Sequence, residues 1–176
     1  MKFHRTSIRD CLRIELERRG DDRGFFARLF CQDEFTAAGY PLEVVQANDS
    51  FSADQGTLRG MHYQVGDAAE TKVIRCLRGG IFDVVIDLRP DSPSYLRWEG
   101  FHLDADNRDM VRVPTGCAHG FLTVQPDTEV FYLVDNRYAP AAERGVRWND
   151  PRFCVQWPSE PRVISDKDAN WPDFAD

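Results

Sequence analysis

The tightest constraint on this chain is its rhythm. Short runs of alternating apolar and polar residues follow one another, each broken by Gly, Pro, Asp or Asn. Leu12-Arg-Ile-Glu-Leu-Glu17 alternates apolar and charged side chains, the pattern of a half-buried strand. Gly24 to Phe30, Val44 to Asn48, Thr57 to Gln64, Tyr95 to Leu103, Met110 to Val113, Gly120 to Val124 and Glu129 to Val134 also read as strands. Thr71 to Arg78 and Ile81 to Leu88, joined by Gly79-Gly80, read as the clearest hairpin. In its second arm Phe82, Val84, Ile86 and Leu88 share one face, and Asp83 and Asp87 share the other with Ile81 and Val85. Gln32 to Ala38, stopped by Gly39 and Pro41, reads as a short helix, and Pro140 to Arg144 as one helical turn. Arg18 to Arg23 reads as a charged turn.

About nine or ten short strands with little helix and no strand–helix–strand alternation predict an all-β sandwich or barrel with a few short helices. Pro114-Thr-Gly-Cys-Ala-His119 after the hairpin suits a jelly roll of the cupin type, in which such a turn places a histidine at the barrel mouth. The chain of 176 residues is expected to form a single domain over 1–176. Trp148, Trp157 and Trp171, among several prolines, predict a tail packed over the scaffold.

A net charge of -7 argues against nucleic acid or an anionic membrane as the main partner, so an anionic ligand needs a local cluster of Arg and Lys. The five cysteines form no CxxC pair and read as small buried hydrophobes in a reducing compartment. No run approaches the ~20 apolar residues of a membrane span. The segment from Met1 to Thr6 lacks the apolar core of a signal peptide, so the cytoplasm is the expected location.

Within Gly56-Thr-Leu-Arg-Gly-Met-His-Tyr-Gln64, Arg59 and His62 sit where a sheet interior makes each costly without a partner. His62 taken alone is more often a core histidine, but Lys72, Tyr132 and His119 occur on strands that converge in this fold. His62 then suits a proton carrier, Lys72 a cation for a developing oxyanion, and Tyr132 a phenol that delivers a proton. Arg23 and Arg59 suit a phosphate clamp, because a guanidinium matches phosphate oxygens with two hydrogen bonds. Strict alternation would put Arg59 and His62 on opposite faces, and Gly60 between them is expected to carry a bulge or kink that brings both round to one site. His62-Tyr63-Gln64 supplies one imidazole where a metal cupin has two; no metal is expected.

Together these segments resemble the dTDP-4-dehydrorhamnose 3,5-epimerase family, metal-free cupins of deoxysugar biosynthesis. The resemblance runs from about Asp21 to Asp168. It rests on Asp21-Asp-Arg-Gly-Phe-Phe26, Val45-Gln-Ala-Asn48, Leu58-Arg-Gly-Met-His-Tyr-Gln64, Lys72, Phe82 to Arg89, Pro114 to Phe121, Tyr138-Ala-Pro140, Glu143-Arg-Gly145 and Ser165-Asp-Lys-Asp168. It implies a cofactor-independent epimerase acting at C3 and/or C5 of a nucleotide-linked 4-keto-6-deoxysugar, in the first place dTDP-4-dehydro-6-deoxy-D-glucose giving dTDP-4-dehydro-L-rhamnose. Alternatives on the same scaffold are a mono-epimerase, an epimerase of GDP- or CDP-sugars, a metal-dependent cupin or a 3,4-ketoisomerase. The resemblance implies His62 oriented by Asp168, with Lys72 and Tyr132 as the other catalytic groups. Arg23, Phe26, Gln46, Ala47, Asn48, Arg59, His119, Tyr138, Glu143 and Lys167 are implied to bind the substrate. Arg28 stands where the family usually has a glutamate that helps place the nucleotide. A homodimer with N-terminal strands exchanged between subunits is implied as well.

Overall fold

The structure, a computed structural model, describes residues 1–175. In chain order it holds β1 (Lys2–Arg5), β2 (Leu12–Glu15), β3 (Arg19–Asp21), β4 (Gly24–Phe26), α1 (Gln32–Ala37), β5 (Gln46–Ser52), β6 (Thr57–Gln64) and β7 (Lys72–Arg78). Then come β8 (Gly80–Asp87), β9 (Trp98–Asp104), β10 (Met110–Val113), β11 (Cys117–Thr123), β12 (Thr128–Val134), β13 (Glu143–Gly145), β14 (Val163–Ile164) and α2 (Asp166–Ala169). One sheet runs β1-β2-β10-β7-β12-β5 and a second runs β13-β6-β11-β8-β9, with β14 beside β6. This is the all-β, jelly-roll arrangement the alternation calls for. No helix of the described residues is long and apolar enough to cross a membrane.

Three apolar layers follow from the period of two. Inward residues of both sheets, among them Ile74, Cys76, Ile81, Val85, Val111, Phe121 and Val130, form the core between the sheets. Leu12, Ile14, Val73, Met110 and Leu133 face outward from the first sheet and are covered by Phe35 of α1 and Leu42. Met61, Val84, Ile86 and Ala118 face outward from the second sheet and are covered by Val146 and Phe153, with Trp157 and Phe174 packed alongside. The two faces of β8 divide as the sequence assigns them, and the C-terminal tail covers one of them. Each such fully buried side chain contributes roughly 1.5–3 kcal/mol.

The structure corrects several local expectations. Lys72–Arg78 and Gly80–Asp87 are not a hairpin: β7 pairs with β10 and β12, whereas β8 pairs with β9 and β11. The Gly79-Gly80 turn is a corner between sheets; Gly79 has φ +71°, and a Cβ there would meet Thr128 Oγ1 at 2.3 Å. The strand expected from Gly24 to Phe30 stops at Phe26, because Ala27, Leu29 and Phe30 turn in to pack under α1. Arg19–Asp21, read as part of a turn, is the first arm of a small ribbon with β4. The one-turn helix after Ala139 covers only Pro140–Ala142, since Glu143–Gly145 pairs with β6 instead. Cys11, Cys76 and Cys117 are buried as expected, but Cys31 is only half-buried and Cys154 is exposed.

Candidate active site

The site lies between the sheets at one end of the barrel. Its floor begins at the β6–β11 ladder, where His62 is paired with His119 and Arg59 with Phe121. Two residues of β6, Gly60 and Met61, therefore stand against one of β11, Gly120, which is a bulge at Gly60. Gly60 has φ +131°, and a Cβ there would lie 2.5 Å from the Gly120 Cα. Only glycine allows this close approach of the two backbones. The extra residue turns Arg59 and His62 to the same side, as the sequence requires if both serve one site.

From the facing sheet, β5, β12 and β7 bring Asn48, Tyr132 and Ile74 into register, with Gln46, Val134 and Lys72 the next row. Two recesses, about 270 and 460 Å³, share His62, Lys72, Tyr132 and Lys167 in their walls, so they form one groove. Arg59, His119, Ser50 and Asp168 line the first, and Gln46, Asn48, Glu70, Tyr138 and Glu143 line the second. A separate recess of about 530 Å³ lies beside Arg9 and Arg89 and contains none of the four shared residues. Its Arg89 is committed to Asp87, whose carboxyl is buried, a cost outweighed by Arg89, Ser92 and Ser94, which hold it down at about 2.

Two imidazole–carboxylate pairs stand side by side in the groove. His62 Nε2 lies 2.6 Å from Asp168 Oδ1, and the other Asp168 oxygen accepts the Gly60 N–H at 3.1 Å. Asp168 sits on α2, whose first turn is capped by Ser165 Oγ accepting the Asp168 N–H. Of the two tail aspartates, Asp168 is thus the one that meets His62. Burial pushes the Asp168 carboxyl up, but the His62 hydrogen bond and charge and the Gly60 N–H outweigh it and hold the group below its usual range. The Trp171 ring stands edge-on to His62, with centroids 6.1 Å apart. The second pair is His119 Nε2 with Asp83 Oδ1, also at 2.6 Å, and Asp83 is fully buried.

Lys72 Nζ is 3.0 Å from Glu70 Oε1. Tyr132 is raised above the ordinary phenol range, first by burial and then by the Glu70 charge, against a weaker pull from Arg59. Arg59 donates to Ser52 Oγ and the Phe51 carbonyl, both neutral, which leaves its charge for an anion. At the outer end Tyr138 donates its hydroxyl to Glu143 Oε2, and Lys167 Nζ binds Glu143 Oε1 at 2.9 Å. Cations thus gather in the groove of a chain whose net charge is -7.

Not every sequence-derived candidate is here. Ala47 points away from the groove on β5, since Gln46 and Asn48 take the inward positions. Arg23, Phe26 and Arg28 lie on or just after the β3–β4 ribbon. Arg23 is bound to Asp21, Arg28 to Glu34, and Phe26 is 63% exposed. Conversely, Asp83, Gln64, Glu70 and Trp171 gain places that sequence reasoning did not assign them. Asp83 carried a signal: a carboxylate on the inward face of an apolar strand demands a partner. Among the described residues no three of His, Cys, Asp and Glu gather into a metal-binding set.

Comparison with known proteins agrees over the whole length. The family model described as dTDP-4-dehydrorhamnose 3,5-epimerase matches residues 5–176. The Escherichia coli protein named dTDP-4-dehydrorhamnose 3,5-epimerase is 42% identical, over 96% of this chain and 91% of that protein. A crystal structure of the Bacillus anthracis protein of the same name, with TDP and PPi bound, superposes with TM-score 0.95 at 41% identity, covering 98% of this chain and 99% of that one. A Legionella pneumophila structure in complex with dTDP-4-keto-L-rhamnose superposes with TM-score 0.91 at 33% identity, covering 98% and 92%.

Proposed function

The chain belongs to the dTDP-4-dehydrorhamnose 3,5-epimerase family, and from that premise we propose how its groove inverts a dTDP-linked 4-keto-6-deoxysugar. The activity is that of a cofactor-independent sugar-nucleotide epimerase. The observation that supports the assignment of roles is that His62 and Tyr132 come from opposite sheets, with Lys72 in the same groove. A base on one wall and an acid on the other are what inversion at carbon requires.

The 4-ketone acidifies the protons on C3 and C5. With Nε2 held by Asp168, His62 uses Nδ1 as the base. The C–H bond breaks, the proton goes to Nδ1, and the electron pair moves into the ketone to give an enolate. Asp168 stabilises the imidazolium that forms. The Lys72 ammonium holds the enolate oxygen. Tyr132, protonated because its pKa lies above the usual 10, then gives its proton to carbon from the other face. The imidazolium loses its proton and the phenolate regains one through solvent. A positioned acid or base of this kind is worth roughly 10²–10⁴-fold.

Arg59 and His119 hold the diphosphate, Gln46 and Asn48 the sugar end, and Tyr138, Glu143 and Lys167 the nucleotide end. Two copies pair, and the exposed β3–β4 ribbon with Arg23 and Phe26 reaches the partner's groove. The open edge of β5 and the exposure of Phe25, Phe26 and Phe51 support this arrangement. Arg28, bound to Glu34, replaces the acid that family members use near the nucleotide.

The test is deuterium incorporation from heavy water into dTDP-4-keto-6-deoxyglucose, followed by NMR. Exchange at both C3 and C5 is expected. Exchange at one carbon only would make the protein a mono-epimerase, and none with this substrate but exchange with a GDP- or CDP-sugar would reassign the nucleotide.

A further inference from the structure

One polar joint in the groove is not used by the steps above. Gln64 lies two residues beyond His62 on the same strand face and is 3% exposed. Its Oε1 accepts the Ala139 N–H at 2.6 Å. Because a backbone N–H can only donate, that bond fixes which way the amide points. Nε2 must then face the opposite side, where three acceptors wait: Ala68 O at 3.0 Å, Glu70 Oε2 at 3.0 Å and Arg137 O at 3.2 Å. Two N–H groups serve three acceptors, so the amide is fully committed. Glu70 is fully committed too, with Oε2 on Gln64 and Oε1 on Lys72 Nζ.

The chain of bonds has two ends. One is the Arg137–Ala139 loop, gripped on both sides of Tyr138, the aromatic residue at the outer end of the groove. The other is the Lys72 ammonium. The links are hydrogen bonds of 2.6–3.2 Å and, at the Lys72 end, an ion pair of 3.0 Å, between groups that are mostly out of water, where such contacts hold geometry well. We propose that Gln64 and Glu70 are positioning residues that act as one unit, tying the loop that carries Tyr138 to the placement of the Lys72 ammonium. The inference rests on the reading of Lys72 as the cation that holds the enolate oxygen. It gives the nucleotide end of the substrate a physical route to the reacting end: a loop set by the nucleotide sets Gln64, and Gln64 sets the counter-ion of Lys72. Misplacing a catalytic group by about 1 Å costs up to ~10²-fold in rate.

The experiment compares Glu70→Gln, Gln64→Met and the double variant, all checked for a wild-type fold by thermal melting. Both kcat and KM are read from deuterium exchange, and dTDP affinity by calorimetry. Glu70→Gln keeps the shape and one donor–acceptor link but loses the negative charge that faces Lys72; kcat is expected to fall about 10- to 100-fold with dTDP affinity unchanged. Gln64→Met keeps the volume and loses all four bonds; kcat falls comparably and dTDP binding weakens about tenfold. The double variant is expected to lose no more kcat than the worse single variant, as for residues acting through one joint. Singles within twofold of wild type in kcat, or losses that multiply in the double variant, would overturn the proposal. So would unchanged dTDP affinity in Gln64→Met, a reading that needs no turnover. If Gln64→Met melts early, Glu70→Gln decides alone. Absence of exchange in the wild type would instead overturn the proposed reaction, with the dTDP result still judging the tie to the loop.

Discussion

His62 and His119 face each other across one ladder, and each gives Nε2 to an aspartate at 2.6 Å, yet the two pairs are built differently. The His62 side chain is 25% exposed and its carboxylate is delivered from α2, with the second oxygen on the Gly60 N–H. The His119 side chain is 9% exposed, and Asp83 comes from the neighbouring strand β8 with Oδ2 buried and without a hydrogen-bond partner among the described residues. The first pair is open enough to meet substrate and has its carboxylate fixed by two bonds. The second is part of the barrel wall, and its carboxylate depends on a single imidazole. On the proposed mechanism, similar geometry serves proton transfer in one place and a held charge in the other, and burial makes the difference.

Several measurements would break or sharpen that contrast. The largest separation is expected in turnover. His62→Asn should lower kcat by about 10²–10⁴-fold with KM little changed, whereas His119→Asn should act mainly on KM; a similar kcat loss in both would erase the distinction. Stability should reverse the order. His119→Ala leaves the Asp83 charge buried without a partner and is expected to cost about 3–5 kcal/mol in urea unfolding, a penalty His62→Ala should fall well short of because Asp168 keeps the Gly60 N–H. A smaller effect lies in the acid range. The Asp168 carboxyl is held below its unfolded value, so its contribution is complete above about pH 4 and is lost as pH falls through the lower folded value. Melting curves for Asp168→Asn should therefore run below wild type at neutral pH and converge with it in acid. The smallest effect concerns the opposite wall: with Tyr132 raised, kcat should hold up to about pH 10 rather than fall earlier, and an alkaline limb near 8 would assign the proton delivery to another group.

The contrast also marks how far the sequence could be read. Period-two alternation reveals the strands and even the two faces of β8, because each face has its own apolar cluster. It also exposes the Arg59–His62 parity problem, and the Gly60 bulge resolves it as the sequence demands. What alternation cannot give is which strands are neighbours. Asp83 meets His119 only because β8 lies beside β11, and Gly79-Gly80 fits a sheet corner as well as a hairpin turn. The tail is harder still: α2 has four residues, too few for a helical period, so Asp168 and Lys167 rested on resemblance to a family. Phe26 and Arg28 rested on it as well, and Arg23 on it and on the match of a guanidinium to phosphate; all three lie on or just after the exposed ribbon, away from this chain's groove.

The placement of Asp168 has a consequence in time as well as space. It stands 106 residues after the histidine it orients. As synthesis proceeds from the N-terminus, β5 to β12 emerge before α2, so His62 leaves the ribosome well ahead of the carboxylate that holds it. On the proposed mechanism, the base is complete only once α2 has docked against β6.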